Sequence, residues 1–140
     1  MLNLYLSNDS SFLVLNGDIL TNLNPIRLVD ELDYNDDCIG SIAIVPLKSP
    51  YGIVYTNTNG RIEKFEEKLV LKDYFVNAGV YCFKPDIFDY LPDKGDIERA
   101  SFPMFASKGR LKAVKYTEVF WKSVDTHKDL EEAEAMIKRT

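Results

Sequence analysis

The sequence predicts an α/β fold in which helices cover a mixed sheet. Three observations point there. Phe12-Leu13-Val14-Leu15 is a short apolar run closed by Asn16-Gly17-Asp18, the pattern of a strand buried on both faces in the middle of a parallel sheet. Ile39 to Leu47 is a second run rich in Ile and Val, and Asn24-Pro25 opens a helix between the two. This early alternation, followed by a hairpin, argues against an all-β barrel.

The elements follow in order. Residues 12 to 16 form the first strand. The helix after Asn24 is capped by that residue, carries Ile26, Val29 and Leu32 as its inward stripe, and closes over Asp33 to Asp37. Ile53 to Tyr55 and Ile62 to Phe65 flank Asn57-Thr58-Asn59-Gly60, whose Asn-Gly pair signals a hairpin. Phe75 to Phe83 is a strand ended by Lys84-Pro85, and Pro85 starts a short helix through Ile87, Phe88 and Leu91. Asp96 to Ala106 is helical with an interruption at Pro103. Leu111 to Tyr116 and Val119 to Val124 are strands. Thr126 caps the last helix with Asp129 in the capping-box position, and Leu130, Ala133, Met136 and Ile137 share one face. Met1 to Asn8, with three leucines and a tyrosine, reads as the tail of a helix.

Composition narrows the partners. At 140 residues the chain is one domain's worth, and an apolar fraction of 46% supplies a core. A net charge of −5 argues against nucleic acid, because phosphate contacts want clustered Lys and Arg. Cys38 and Cys82 sit in apolar contexts and read as reduced core residues. One histidine and no close Cys pair give no zinc pattern. With no signal-like opening and no run near the roughly 20 residues of a membrane span, the sequence reads as a cytoplasmic protein without a membrane partner.

Several residues stand where chemistry would be. Ligands of open α/β sheets sit at the carboxyl ends of the strands, so Asp18 is either a carboxylate suited to a hard cation such as Mg²⁺ or a turn residue. Gly52, after Pro50-Tyr51, either lets a ligand approach the backbone or simply makes a turn. Glu67 and Lys68 are strand neighbours, so they face one ligand only if the strand ends or bulges there; otherwise they belong to a charged run on a wet face. Asn77 interrupts an apolar strand and needs a partner, either a ligand or the fold itself. His127 is a lone, solvated histidine.

In this order and spacing, the Asn16-Gly17-Asp18 strand end, Tyr51-Gly52, Phe65-Glu66-Glu67-Lys68, Phe75-Val76-Asn77-Ala78-Gly79 and Trp121-Lys122-Ser123-Val124-Asp125 resemble the sugar-phosphate nucleotidyltransferases. These guanylyl-, thymidylyl- and uridylyltransferases join a nucleoside triphosphate to a sugar 1-phosphate. The resemblance implies a three-layer αβα, GT-A-like fold with a mixed, mostly parallel sheet. It implies that Asp18 binds Mg²⁺, that Tyr51-Gly52, Glu67 and Asn77 meet the sugar, and that Lys68 meets its phosphate. The sequence departs from the family pattern in two places. Leu69 stands where proline usually follows the lysine, and Ser123 stands where a second metal-binding aspartate is usual, with Asp125 two residues on. Asp125 either serves the metal from there or, with Thr126, only starts the last helix.

A phosphate cradle needs glycines close together, and the nearest pair here, Gly52 and Gly60, lies eight residues apart. The chain therefore reads as the sugar-side portion of a single nucleotidyltransferase domain, 1–140, without its nucleotide-side opening. Two functions follow: nucleotidyl transfer completed by another segment, or a non-catalytic module for a sugar phosphate, a sugar nucleotide or a partner. An incomplete sheet would leave a central strand unpaired, so a homo-oligomer or a complementing subunit is expected.

Overall fold

The computed structural model describes residues 10–139, and the expected helix tail at Met1 to Asn8 lies outside them. The chain runs β1 (Phe12–Leu15), β2 (Ile19–Thr21), α1 (Ile26–Asp33), β3 (Gly40–Lys48), β4 (Ile53–Thr56), β5 (Ile62–Glu66) and β6 (Val70–Phe83). A 3₁₀ turn (Pro85–Tyr90), α2 (Ile97–Ala100), α3 (Phe102–Ser107), β7 (Leu111–Lys115), β8 (Trp121–Ser123) and α4 (His127–Ile137) complete it.

The main sheet has the order β1-β6-β3-β7. β6 is antiparallel to β1 and to β3, and β3 is parallel to β7, so three strands point one way and β6 the other. Side chains alternate along a strand, and β6 uses this to build two cores. Ala78, Val80 and Cys82 pack with Leu28, Leu32, Val45 and Tyr116. Tyr81 and Phe83 pack on the other side with Ile87, Phe102 and Phe105. Helices thus lie on both faces of a mixed sheet, as the sequence predicts.

Four details differ from expectation. β1 is an edge strand of the described sheet rather than a central one, and Leu13, Val14 and Leu15 are 46%, 36% and 57% exposed. Its apolar run is not matched by a strand on its outer side among the described residues. The inward stripe of α1 is Leu28 and Leu32 with Val29 packed beside them, as expected for Val29 and Leu32, while Ile26 is 56% exposed. Asn24 Oδ1 accepts the Ile26 N–H at 3.1 Å at the start of the helix, the bond expected of a capping asparagine. Pro103 begins α3 instead of interrupting one helix; the break falls at buried Ser101, whose Oγ donates to the Tyr90 carbonyl at 3.3 Å. On α4 only Ala133 is buried, because the helix rests on the narrow β2–β8 ribbon, which cannot cover the whole apolar stripe.

The capping box at Thr126 and Asp129 is present, and the hairpin forms as expected, β4 pairing with β5. Cys38 and Cys82 are both buried and unbridged. No helix among the described residues is long and apolar enough to cross a membrane.

Helix α1 is fixed to the sheet by apolar contact and by one polar bond, Ser41 Oγ donating to the Leu28 carbonyl at 2.7 Å inside the core. Leu28→Ala should cost about 2–5 kcal/mol in chemical denaturation, and Ile26→Ala less than about 1 kcal/mol. Equal costs would mean that the helix face has been assigned wrongly.

Candidate functional site

The site is built where the β4–β5 hairpin leaves the main sheet. The Ser49 N–H donates to the Leu69 carbonyl at 2.9 Å, clasping the chain that enters the hairpin to the chain that leaves it. β5 ends at Glu66, and a turn follows at Glu67 and Lys68. Lys68 has φ +50°, the one non-glycine residue in the left-handed region among those described. For an L-residue this conformation costs about 1–2 kcal/mol. Such strain clusters where function holds a side chain in place. The strand does end where a shared ligand would require it to. Leu69 matters here, because a proline would push the preceding residue toward extended backbone.

A cavity of about 810 Å³ opens beside this turn. Its walls include Lys48, Lys68, Asn77, Trp121, Ser123 and Asp125, with Asp129 and Glu132 from α4. Of the expected site residues, Lys68, Asn77 and Asp125 therefore share one cavity. Tyr51, Gly52 and Glu67 do not line it. Tyr51 is 76% exposed. The open face of Gly52 is taken by protein: a Cβ there would stand 2.5 Å from the Phe65 ring and 2.9 Å from Glu67 Oε2. The close approach that requires glycine is thus one between side chains of this chain. Asp18 lines a second cavity of about 440 Å³, with Val124 and Leu130.

Asn77 is exposed rather than buried, and its amide is engaged by the fold. Nδ2 donates to Tyr81 Oη at 2.8 Å and to Glu98 Oε1 at 3.1 Å, while Oδ1 accepts the Gly79 N–H at 2.9 Å. Tyr81 Oη donates to Glu98 Oε1 at 2.8 Å. Burial pushes the Tyr81 phenol up to about 12. Neither Tyr81 nor Glu98 stands out in the sequence as a site residue. Gly79, between Asn77 and Tyr81, has φ +71° and packs closely against Asn16 and Ile19.

The wall from β8 to α4 is held by charge. Trp121 Nε1 donates to the Ala78 carbonyl at 2.8 Å, tying the β2–β8 ribbon to β6. Lys122 Nζ lies 2.9 Å from Asp129 and 2.8 Å from Glu132. Its ammonium and the Thr126 cap hold the Asp129 carboxyl well below the usual carboxylate range, and Lys122 also lowers Glu132.

Ser123 Oγ donates to Asp125 Oδ2 at 2.8 Å, so the Asp125 carboxylate reaches the serine's position without a backbone shift. The Val124 N–H donates to the Asp18 carbonyl at 2.8 Å, which sets residues 18 and 125 on neighbouring chain segments. No group of three metal-ligating side chains occurs among the described residues. Asp18 and Asp125 are hard carboxylate donors of the kind Mg²⁺ takes, and they line separate cavities.

A mixed sheet thus carries helices on both faces, and a lysine and carboxylates line a cavity at the root of its hairpin. A family model described as nucleotidyl transferase matches residues 1–140, and the chain belongs to that family. It is 35% identical over 129 residues to the mannose-1-phosphate guanylyltransferase catalytic subunit beta of Dictyostelium discoideum, covering 89% of this chain and 35% of that protein. It is 34% identical over 110 residues to the UTP–glucose-1-phosphate uridylyltransferase of Synechocystis, covering 72% of this chain and 28% of that protein. The chain thus spans about a third of the length of these curated relatives. In fold it resembles the crystal structure of HddC from Yersinia pseudotuberculosis, with TM-score 0.62 and 23% identity, over 93% of this chain and 56% of that one.

Two outcomes test the local geometry. Lys68→Gly should be more stable than Lys68→Ala by about 1 kcal/mol, measured by urea denaturation, because glycine accepts positive φ without the Cβ clash. Asp129 and Glu132 have depressed folded-state pKa values, so their contribution is complete above the unfolded carboxylate pKa of about 4 and is lost as pH falls below it. Lys122→Met should therefore flatten the acid limb of a stability–pH profile and leave the neutral-to-basic limb unbent.

Proposed function

We propose that this chain supplies the sugar-phosphate side of a nucleotidyltransferase. In the reaction, a sugar 1-phosphate oxygen attacks the α-phosphate of a nucleoside triphosphate, forming the sugar nucleotide and releasing pyrophosphate. What carries this proposal is the joint presence of Lys68, Asn77 and Asp125 on one cavity, in a chain of the nucleotidyl transferase family. Lys68 meets the phosphate of the sugar 1-phosphate, for which a compact, mobile ammonium is suited. Asn77 meets a sugar hydroxyl. Asp18 and Asp125 hold Mg²⁺, which when bound supplies charge neutralisation between converging phosphates. The names of the relatives favour glucose 1-phosphate or mannose 1-phosphate as ligand.

Catalysis of this kind is mostly positioning and charge neutralisation. The chain carries no glycine-rich cradle for the triphosphate. The single domain is therefore completed by a further segment or subunit, which meets it at the apolar edge of β1. The setting is the cytoplasm, supported by two buried thiols left unbridged.

A second function, a non-catalytic module for a sugar phosphate or sugar nucleotide, is favoured by one observation. Asp18 and Asp125 line separate cavities, and Ser123 stands between them in the chain. Calorimetric titration with glucose 1-phosphate and mannose 1-phosphate, with and without Mg²⁺ and UTP or GTP, separates the two. Sugar 1-phosphate binding should weaken at least about tenfold in Lys68→Ala. Turnover of triphosphate once the completing segment or subunit is added supports the enzyme, and binding without turnover in that complex supports the module. Unchanged binding in Lys68→Ala would remove the site. Light scattering should show self-association that rises with concentration, and a monomer at every concentration would count against the β1 edge as a joining surface.

A further inference from the structure

An asparagine side chain has four hydrogen-bonding positions, two donor hydrogens and two acceptor lone pairs. At Asn77 three of them are used inside the protein. Nδ2 gives one hydrogen to Tyr81 Oη and the other to Glu98 Oε1. Oδ1 accepts one hydrogen from the Gly79 backbone. What remains is one lone pair on Oδ1. A ligand in the cavity therefore meets Asn77 as an acceptor only and must bring a donor hydroxyl.

Glu98 and the Gly79 N–H set this orientation together, one from each side of the amide. Glu98 Oε1 accepts from both Tyr81 and Asn77. Tyr81 is buried and remains a neutral phenol through the physiological range, its pKa pushed up to about 12. Its hydrogen goes to Glu98, and its oxygen is met by the side chains of Asn77 and Asn16. Reversing the Asn77 amide would set its carbonyl oxygen against the carboxylate and turn its NH₂ toward the Gly79 N–H, losing all three bonds. Glu98 is itself fixed at the start of α2, where its N–H donates to Asp96 Oδ1 at 2.9 Å. It does not line the cavity and reaches it only through Asn77.

We infer that Glu98 is a positioning residue for sugar selection: by accepting from Tyr81 and Asn77 it locks the Asn77 amide with its carbonyl oxygen as the group offered to a sugar hydroxyl. This deepens the sugar-phosphate function proposed above and rests on it. The sugar and the phosphate are then read by different residues, Asn77 under the control of Glu98 for one and Lys68 for the other.

The test compares binding of glucose 1-phosphate and mannose 1-phosphate with binding of inorganic phosphate, by calorimetry on the intact chain. Glu98→Ala should lower affinity for the preferred sugar 1-phosphate about tenfold and leave phosphate affinity within about twofold. Glu98→Gln keeps an acceptor oxygen and should restore the sugar preference to within about threefold of wild type. Tyr81→Phe, which removes the bridging hydroxyl, should erode the same preference. A merely structural role would lower both affinities together and would not respond to glutamine. The inference is overturned if Glu98→Ala keeps the sugar preference, if both affinities fall in parallel, or if Glu98→Gln fails to rescue. A wild-type chain that binds neither sugar 1-phosphate better than phosphate would instead defeat the underlying sugar-phosphate function, and this inference with it.

Discussion

The structure depends on one long strand being shared by two cores. β6 lies between β1 and β3, and its alternating side chains feed Ala78, Val80 and Cys82 to one side and Tyr81 and Phe83 to the other. A one-residue slip would exchange the two sets and bury nothing well, so the register is strongly specified. That register also places the site. It sets Asn77 opposite Ile44 of β3, and it offers the Ala78 carbonyl to Trp121. The β2–β8 ribbon, with Ser123 and Asp125 at its end, is thereby held against the sheet.

Pro46 shows how the same frame accommodates irregularity. It sits within β3, where a missing N–H would break a ladder between two neighbours. The pairing of β3 with β7 stops at Ile44, so Pro46 is flanked only by Phe75 of β6, and the register shifts just after it. Beyond this point β3 and β6 pair again, Leu47 with Leu71 and Lys48 with Val70, before the chain leaves for the β4–β5 hairpin, and the cavity opens at the hairpin's root. The site lies where the regular sheet gives out.

Much of this was legible because the signals were local. The Asn-Gly hairpin, the Thr126 capping box and the long strand through Phe83 rest on short-range chemistry. What the sequence hid was which neighbours cover a face. Phe12 to Leu15 has the composition of an interior strand, yet it lies at an edge among the described elements. The α4 stripe is periodic, but the width of the ribbon beneath it is a tertiary fact. The candidate residues divide in the same way. Chain order brought Lys68, Asn77 and Asp125 to one cavity, whereas no spacing rule could show that Phe65 fills the space above Gly52. Glu98 was invisible because it reaches Asn77 across 21 positions of sequence.

The β4–β5 hairpin has a further consequence. It is a two-stranded sheet of its own, and Val54, Tyr55, Ile62 and Phe65 remain between 41% and 65% exposed. Two-stranded ribbons are marginal by themselves, and segments with little buried apolar surface open locally at a fraction of the global unfolding free energy. Lys68 leaves this ribbon directly. This cavity-lining cation is therefore governed by a foldon whose amide protons exchange with solvent sooner than those of β3 and β6, and the lifetime of that opening sets how long the ammonium stays in register with the wall opposite.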